Sequence, residues 1–260
     1  MTDALIGASG FIGATLSKLA TFDARYRSSD IASIEGRSFD CVVCAGAPAQ
    51  KWIANRDPAA DRANIDRLIA HLKTINCSTF ILISTVDVFQ QPIGADEDTP
   101  VDETGLHAYG LHRRLLEKFV ERQFASHLIV RLPGLVGPGL RKNVIFDFLN
   151  DNEIAKIDSR GVFQFYPTVN LWFDIQAALS AGLRLVHLNA EPVSVSDIAR
   201  LGFGRQFHNP VSQAPARYDL RTRHAEALGG RGPYLYSARE TIQATRAFAQ
   251  SEPATMGVRT

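Results

Sequence analysis

The 260-residue chain has little excess of either charge, with 28 lysines and arginines against 27 aspartates and glutamates. No basic stripe stands out, so nothing argues for nucleic acid or an anionic membrane surface as a partner. No apolar run approaches the ~20 residues a membrane-spanning helix needs. A secretory leader is not expected either, because the opening segment is short, carries Asp3 and is broken by glycines. The expectation is a cytoplasmic protein. Cysteine is scarce, with 3 in the chain. Cys41 and Cys44 have the spacing of a redox or zinc pair, but they lie in an apolar, strand-like run. Residues three apart on a strand point to opposite faces, so the pair reads as buried strand cysteines and no metal site is expected.

What is present is ordinary core-forming material. A hydrophobic share of 45% with 21% charged residues suits one large domain, or one with a small appendage. The first half alternates strand-like and helix-like segments at the spacing of strand–helix–strand units. Strands are predicted at Ala4–Gly7, Ala24–Arg27, Asp40–Ala45, Phe80–Ser84 and His127–Leu132. Helices are predicted at 11–21, 57–75 and 109–124, with a brief turn near Ile31–Ile34. Asp57-Pro58 is an N-terminal helix signal, and Ile65, Leu68, Ile69 and Leu72 share one face. From Pro133 to Gly139 the glycines and prolines predict a loop. Beyond it, helices are expected at about 172–183 and 238–249, with a strand at 185–188 between them.

These patterns predict an α/β fold: a Rossmann-type, doubly wound parallel sheet with a small C-terminal lobe. The sheet core is expected over 1–132 plus about 171–189, and the lobe over about 133–170 and 190–260. In such sheets ligands bind beyond the carboxyl ends of the strands. One such end carries Gly7-Ala8-Ser9-Gly10-Phe11-Ile12-Gly13, between an apolar run and a helix-like run. Glycine lets the backbone approach a pyrophosphate, and the helix start behind it offers N–H groups and a positive dipole end.

Other motifs follow in order. Ser84-Thr85-Val86-Asp87-Val88-Phe89 ends a strand, and Tyr109-Gly110-Leu111-His112-Arg113 follows on a helix, with Glu117 further on. With the glycine turn, these resemble the extended short-chain dehydrogenase/reductases, the nucleotide-sugar epimerase, dehydratase and reductase superfamily. The segment from Asp57-Pro58 to Asn64 and the stretch Arg131–Gly139 are similar to two further motifs of that family. Within it the nearest shape is the dTDP-dehydrorhamnose-reductase-like branch, on the brevity of Asp23–Asp40 and on Pro167-Thr168 before Leu171-Trp172.

The resemblance implies an NAD(P)-dependent oxidoreductase or epimerase acting on a nucleotide-sugar or a similar hydroxy/keto compound. Tyr109 would be the acid/base and Thr85 the hydroxyl that orients the reacting oxygen. Position 113 would bind the nicotinamide ribose and tune the tyrosine. Here the chain departs from the family, carrying Arg113 where the family has lysine. Arginine keeps the charge and could depress the Tyr109 pKa, but it does not readily give up a proton. That departure keeps open an alternative, a non-catalytic NAD(P)-binding sensor or assembly protein. His112 reads as a bystander and Arg114 as solvent-facing.

The residues expected at the cofactor are Gly7, Ser9, Gly10, Phe11, Ile12, Gly13, Arg27, Asp30, Ile31, Ala45, Gly46, Ala47, Asn64, Thr85, Tyr109, Arg113 and Pro133. NAD-preferring folds usually carry an acid at the end of the second strand. Here that end reads Tyr26-Arg27-Ser28-Ser29, which suits a 2′-phosphate and leans the choice to NADP over NAD. Asp30-Ile31 resembles the family's adenine-contacting pair. Asp87 is a candidate substrate contact or merely a turn cap, and Arg141, Lys142 and Asn143 stand where the family holds the substrate's diphosphate. Lys51-Trp52 follows a sheet strand and is a candidate for stacking on a sugar or base, whereas Trp172 reads as core. A homodimer through helices 57–75 and 109–124 is compatible with the pattern.

Overall fold

Short apolar runs alternate with amphipathic ones, and the elements follow that alternation. The computed structural model describes residues 2–254. In chain order it contains β1 (Asp3–Ile6), α1 (Phe11–Leu19), β2 (Ala24–Tyr26), β3 (Ser38–Cys44), α2 (Lys51–Arg56), α3 (Pro58–Leu72) and β4 (Asn76–Thr85). Then come α4 (Ala108–Gln123), β5 (His127–Leu132), β6 (Gly134–Val136), α5 (Val144–Asn150), β7 (Val162–Phe163) and β8 (Phe165–Pro167). The chain closes with α6 (Leu171–Ser180), β9 (Leu185–His187), β10 (Val193–Ser194), α7 (Val195–Asp197) and α8 (Ala238–Ser251).

These elements group into two units. The first takes in the described chain up to Gln91, Glu97–Leu132 and Leu171–His187; the second takes in Pro92–Asp96, Pro133–Asn170 and the described chain from Leu188 on. The first unit holds a 6-stranded sheet in the order β2-β1-β3-β4-β5-β9, with every pairing parallel. This is the doubly wound arrangement the sequence predicts. All residues of β5 are buried, as expected of a strand covered on both faces. Ile65, Leu68, Ile69 and Leu72 of α3 and Leu116 and Val120 of α4 pack into one core with Val42, Phe80, Leu82 and Ile129 of the sheet. The chain leaves β1 outward for β2 and then returns to the other side for β3. The sheet therefore has its switch point at the carboxyl ends of β1 and β3, where ligands of such folds enter.

The second unit pairs β6 with β8 in parallel and β7 with β10 antiparallel. Gln164, 1% exposed, ties it together through its side-chain amide. Its nitrogen donates to the carbonyls of Ala190 and Leu220 at 2.7 and 2.8 Å, and its oxygen accepts from Leu220 N–H at 2.8 Å.

Several boundaries depart from expectation. The stretch after Pro133 is not all loop, since β6 forms over Gly134–Val136. Glycine permits this pairing, because a Cβ at Gly134 would stand 2.6 Å from the Gln164 carbonyl oxygen. Helix α3 ends at Leu72 and β4 begins at Asn76, several residues before the apolar run. The short helix α2, with one buried residue, has too little apolar stripe to announce itself. Among the described residues no helix is long and apolar enough to cross a membrane.

Candidate active site

Gly7 follows β1 at φ +83°, and a Cβ on it would lie 2.3 Å from the Ala45 carbonyl oxygen after β3. A Cβ at Gly13 would lie 2.0 Å from the Gly7 carbonyl oxygen. Both glycines thus let backbone pack on backbone. Gly10 differs. It is exposed, it is the N-cap of α1, and an added Cβ would meet only the Gly7 oxygen, at 3.3 Å. No side chain caps α1, and its first turn holds no acid. A helix start of this kind suits an anion. Ser9 is exposed, Phe11 and Ile12 are half-buried, and Ala45, Gly46 and Ala47 follow β3 beside Gly7. These residues fit a dinucleotide and would hold its pyrophosphate.

At the end of β2, Arg27, Ser28 and Ser29 are exposed. Asp30 turns its carboxylate back to accept the Arg27 backbone N–H at 2.6 Å, and the turn Ile31–Ile34 follows.

Thr85 ends β4 and Tyr109 stands in the first turn of α4; they are 8% and 9% exposed. The Thr85 hydroxyl accepts the Asp87 N–H at 3.1 Å, and the Tyr109 N–H donates to Asn55 Oδ1 at 3.0 Å. Burial pushes the Tyr109 phenol above its ordinary pKa. Arg113 pulls it down, as do the Thr85 hydroxyl and Lys51, while Asp87 adds to the rise. The cation-lowered tyrosine expected from the sequence is therefore corrected: desolvation outweighs the charge of Arg113.

Arg113 is 3% exposed. Its Nη1 donates to Asp61 Oδ2 at 2.5 Å and to the Tyr109 carbonyl at 3.3 Å, and its Nη2 donates to the Pro48 carbonyl. The guanidinium carbon sits 4.0 Å from the Tyr109 ring centroid, while Nε is buried without a protein partner. His112 Nδ1 lies 2.7 Å from the same Asp61 oxygen.

Behind the tyrosine, Glu117 fastens α4 to the sheet. It receives Ser84 Oγ at 2.6 Å, Arg131 Nε at 2.9 Å and Arg131 Nη2 at 2.7 Å. Arg114, expected to face solvent, also binds it at 3.0 Å and reaches Glu121 at 2.8 Å.

Asp87 pairs with Lys51 at 2.7 Å, and both side chains are partly exposed. The Asp87 carbonyl presses on α4 at Gly110, where a Cβ would stand 2.2 Å from it. His107 precedes α4 and caps it, its Nδ1 accepting the Gly110 N–H at 3.0 Å. Burial and then Lys51 lower its pKa, so the ring is neutral near pH 7 and carries its proton on Nε2. Trp52 is exposed with the Arg56 guanidinium 4.9 Å from its ring centroid, and Trp172 is half-buried, edge-on to Phe22.

Asn64 is exposed on α3 and binds Arg67 at 2.9 Å. Pro133, Arg141, Lys142 and Asn143 belong to the second unit. Arg141 and Lys142 are exposed. Asn143 caps α5, taking the Ile145 and Phe146 N–H groups and donating to the Leu135 carbonyl. Burial raises the thiols of Cys41 to about 12 and of Cys44 and Cys77 to about 11, so they keep their protons at neutral pH. Sequence reasoning did not single out Asn55 or Asp61. A signal existed for Asp61, which stands four residues before Ile65 on the apolar stripe of α3.

No family model matches the chain, and no curated protein matches it. Solved structures do share its fold. A UDP-galactose 4-epimerase superposes with a TM-score of 0.72 at 18% identity, covering 96% of this chain and 98% of its own. A dTDP-4-dehydrorhamnose reductase from Bacillus anthracis, solved with NADP, reaches 0.73 at 15% identity, with coverages of 97% and 99%. An NAD-dependent NDP-hexosamine 5,6-dehydratase of tunicamycin biosynthesis reaches 0.71 at 17% identity, with coverages of 98% and 99%. These three solved structures thus share the fold of this chain across nearly its whole length.

Proposed function

We propose that the protein is an NAD(P)-dependent oxidoreductase or epimerase of a nucleotide-sugar or a similar hydroxy/keto substrate. The observation that carries this reading is the meeting of Thr85 and Tyr109 at the carboxyl end of the sheet that also bears the Gly7–Gly13 turn. Solved structures with the same fold act on such substrates by their names, UDP-galactose 4-epimerase and dTDP-4-dehydrorhamnose reductase among them.

The bound dinucleotide supplies the hydride chemistry. The chain's own residues do the rest. Tyr109 donates a proton to the substrate oxygen in reduction and takes it in oxidation, and Thr85 hydrogen-bonds that oxygen. The raised pKa of Tyr109 keeps its proton in place at neutral pH, which favours the donating role. Arg113 lies against the ring and stabilises the phenolate once the proton has left. Asp87, with Lys51 beside it, meets the substrate's hydroxyls. Gly7–Gly13 and Ala45–Ala47 hold the pyrophosphate, and Arg27 with its neighbouring serines favours NADP.

The retention of Arg113 by Asp61 and Pro48 supports a second reading, a dinucleotide-binding protein without turnover. Tyr109→Phe separates the two readings. On the first, turnover falls at least about 100-fold while dinucleotide affinity stays near wild type. Equal activity in the variant would sink the catalytic assignment.

A further inference from the structure

Asp61 and Arg113 form a buried pair between α3 and α4, at 5% and 3% exposure. Charges this deep must be paired. One carboxylate oxygen of Asp61 receives Arg113 Nη1 at 2.5 Å and lies 2.7 Å from His112 Nδ1. Nη1 also donates to the Tyr109 carbonyl, and Pro48 fixes the other terminal nitrogen. A guanidinium is planar and its fork is rigid, so fixing both terminal nitrogens fixes its face. Its central carbon lies 4.0 Å from the Tyr109 ring centroid.

We propose that Asp61 is a positioning residue for Tyr109: by holding the Arg113 guanidinium over the phenol ring, it sets where the ring lies and how strongly the guanidinium charge acts on it. The inference rests on the reading of Tyr109 as the proton carrier. Asp61 acts through Arg113, and its carboxylate offsets part of the positive charge that the phenol feels. The other groups around the phenol are Asp87 after β4, Lys51 on α2, Thr85 on β4 and neutral His107 before α4. His112 shares the Asp61 oxygen.

The test is a direct titration of Tyr109 that needs no turnover. Tyrosinate absorbance is read after a rapid pH jump, and the trace of Tyr109→Phe is subtracted. Asp61→Asn keeps an oxygen acceptor for Nη1 and removes the charge. Its Tyr109 midpoint should fall by about one unit, because the guanidinium is no longer offset. Asp61→Glu should restore a midpoint close to wild type. A rise in Asp61→Asn would show that the guanidinium has left the ring, which also supports the positioning role. An unchanged midpoint in a folded protein overturns it.

Asp61→Asn leaves a buried arginine without its counter-ion and can unfold, so a second variant is needed. Asp61→Leu with Arg113→Met replaces both charges by apolar groups of similar size, an exchange that buried pairs often tolerate. In that double variant the Tyr109 midpoint should rise, and an unchanged midpoint overturns the proposal. If Tyr109→Phe keeps its turnover, the proton-carrier reading fails, whichever way the titrations fall.

Discussion

Arg131 closes a two-point bridge onto Glu117, from Nε to Oε1 at 2.9 Å and from Nη2 to Oε2 at 2.7 Å. Glu117 is 0% exposed and Arg131 2%, so the bridge joins β5 to α4 where water does not reach. With Ser84 and Arg114 on the same carboxylate, the helix that carries Tyr109 has a fixed distance from the sheet that carries Thr85.

Removing one partner of such a bridge leaves a buried charge uncompensated. Glu117→Ala should destabilise the protein by ~3–5 kcal/mol in denaturant unfolding. The pH dependence has a definite sign. Burial alone would raise the Glu117 pKa, but the bonds from Arg131 and Ser84 hold it below its ordinary value. The carboxylate's contribution is therefore complete above the unfolded pKa of about 4.3 and is lost as pH falls through the folded value. The stability gap between wild type and Glu117→Gln should be widest near neutral pH and should narrow below about pH 4. A gap that stays constant down to pH 3 would contradict this account.

The glycine turn makes a second prediction, because its members do different work. Gly13→Ala puts a Cβ 2.0 Å from a backbone oxygen and should destabilise the fold outright. Gly10→Ala meets that oxygen at 3.3 Å and keeps an allowed φ of −72°. Its unfolding free energy should change by less than about 1 kcal/mol. The new methyl nevertheless stands at the uncapped start of α1, so dinucleotide affinity should fall about tenfold or more, a loss of ~1.4 kcal/mol. Calorimetric titration of NADPH and NADH into the folded variant gives the answer. Unchanged affinity for both would remove Gly10 from the phosphate site.

The sheet was legible because its cause is local. Apolar runs such as Phe80–Leu82 and Leu128–Val130 are buried on both faces, and a parallel strand is what such a run makes. Gly7 and Gly13 were legible because packing of backbone on backbone leaves no other residue. The polar side of the site was less so. Its contacts join residues far apart in sequence, such as Lys51 with Asp87 and Asp61 with Arg113, and no periodicity records such pairs. The sign of the Tyr109 shift escaped for a similar reason. A neighbouring cation can be read from an i,i+4 spacing, whereas desolvation depends on everything that covers the ring. In the second unit, β7 and β10 have two residues each, too short to carry an alternating pattern.

On the proposed reading, Arg27 carries a preference for NADP over NAD. It stands exposed at the end of β2 beside Ser28 and Ser29, and its backbone N–H is held by the Asp30 carboxylate at 2.6 Å. That bond closes the turn and orients Asp30 toward its own backbone, which leaves the guanidinium and the serine hydroxyls as donors for a 2′-phosphate. A guanidinium meets phosphate with two parallel hydrogen bonds, an arrangement that a bare 2′-hydroxyl does not match. Arg27→Ala should therefore weaken NADPH binding by about tenfold or more, equal to ~1.4 kcal/mol, and leave NADH binding nearly unchanged. The side chain is exposed, so no loss of folding stability should accompany the change. Fluorescence titration of both dinucleotides against wild type and variant decides the matter. If wild type binds NADH at least as tightly as NADPH, the turn after β2 does not select the phosphate. If Arg27→Ala weakens both equally, the arginine acts on a feature the two dinucleotides share.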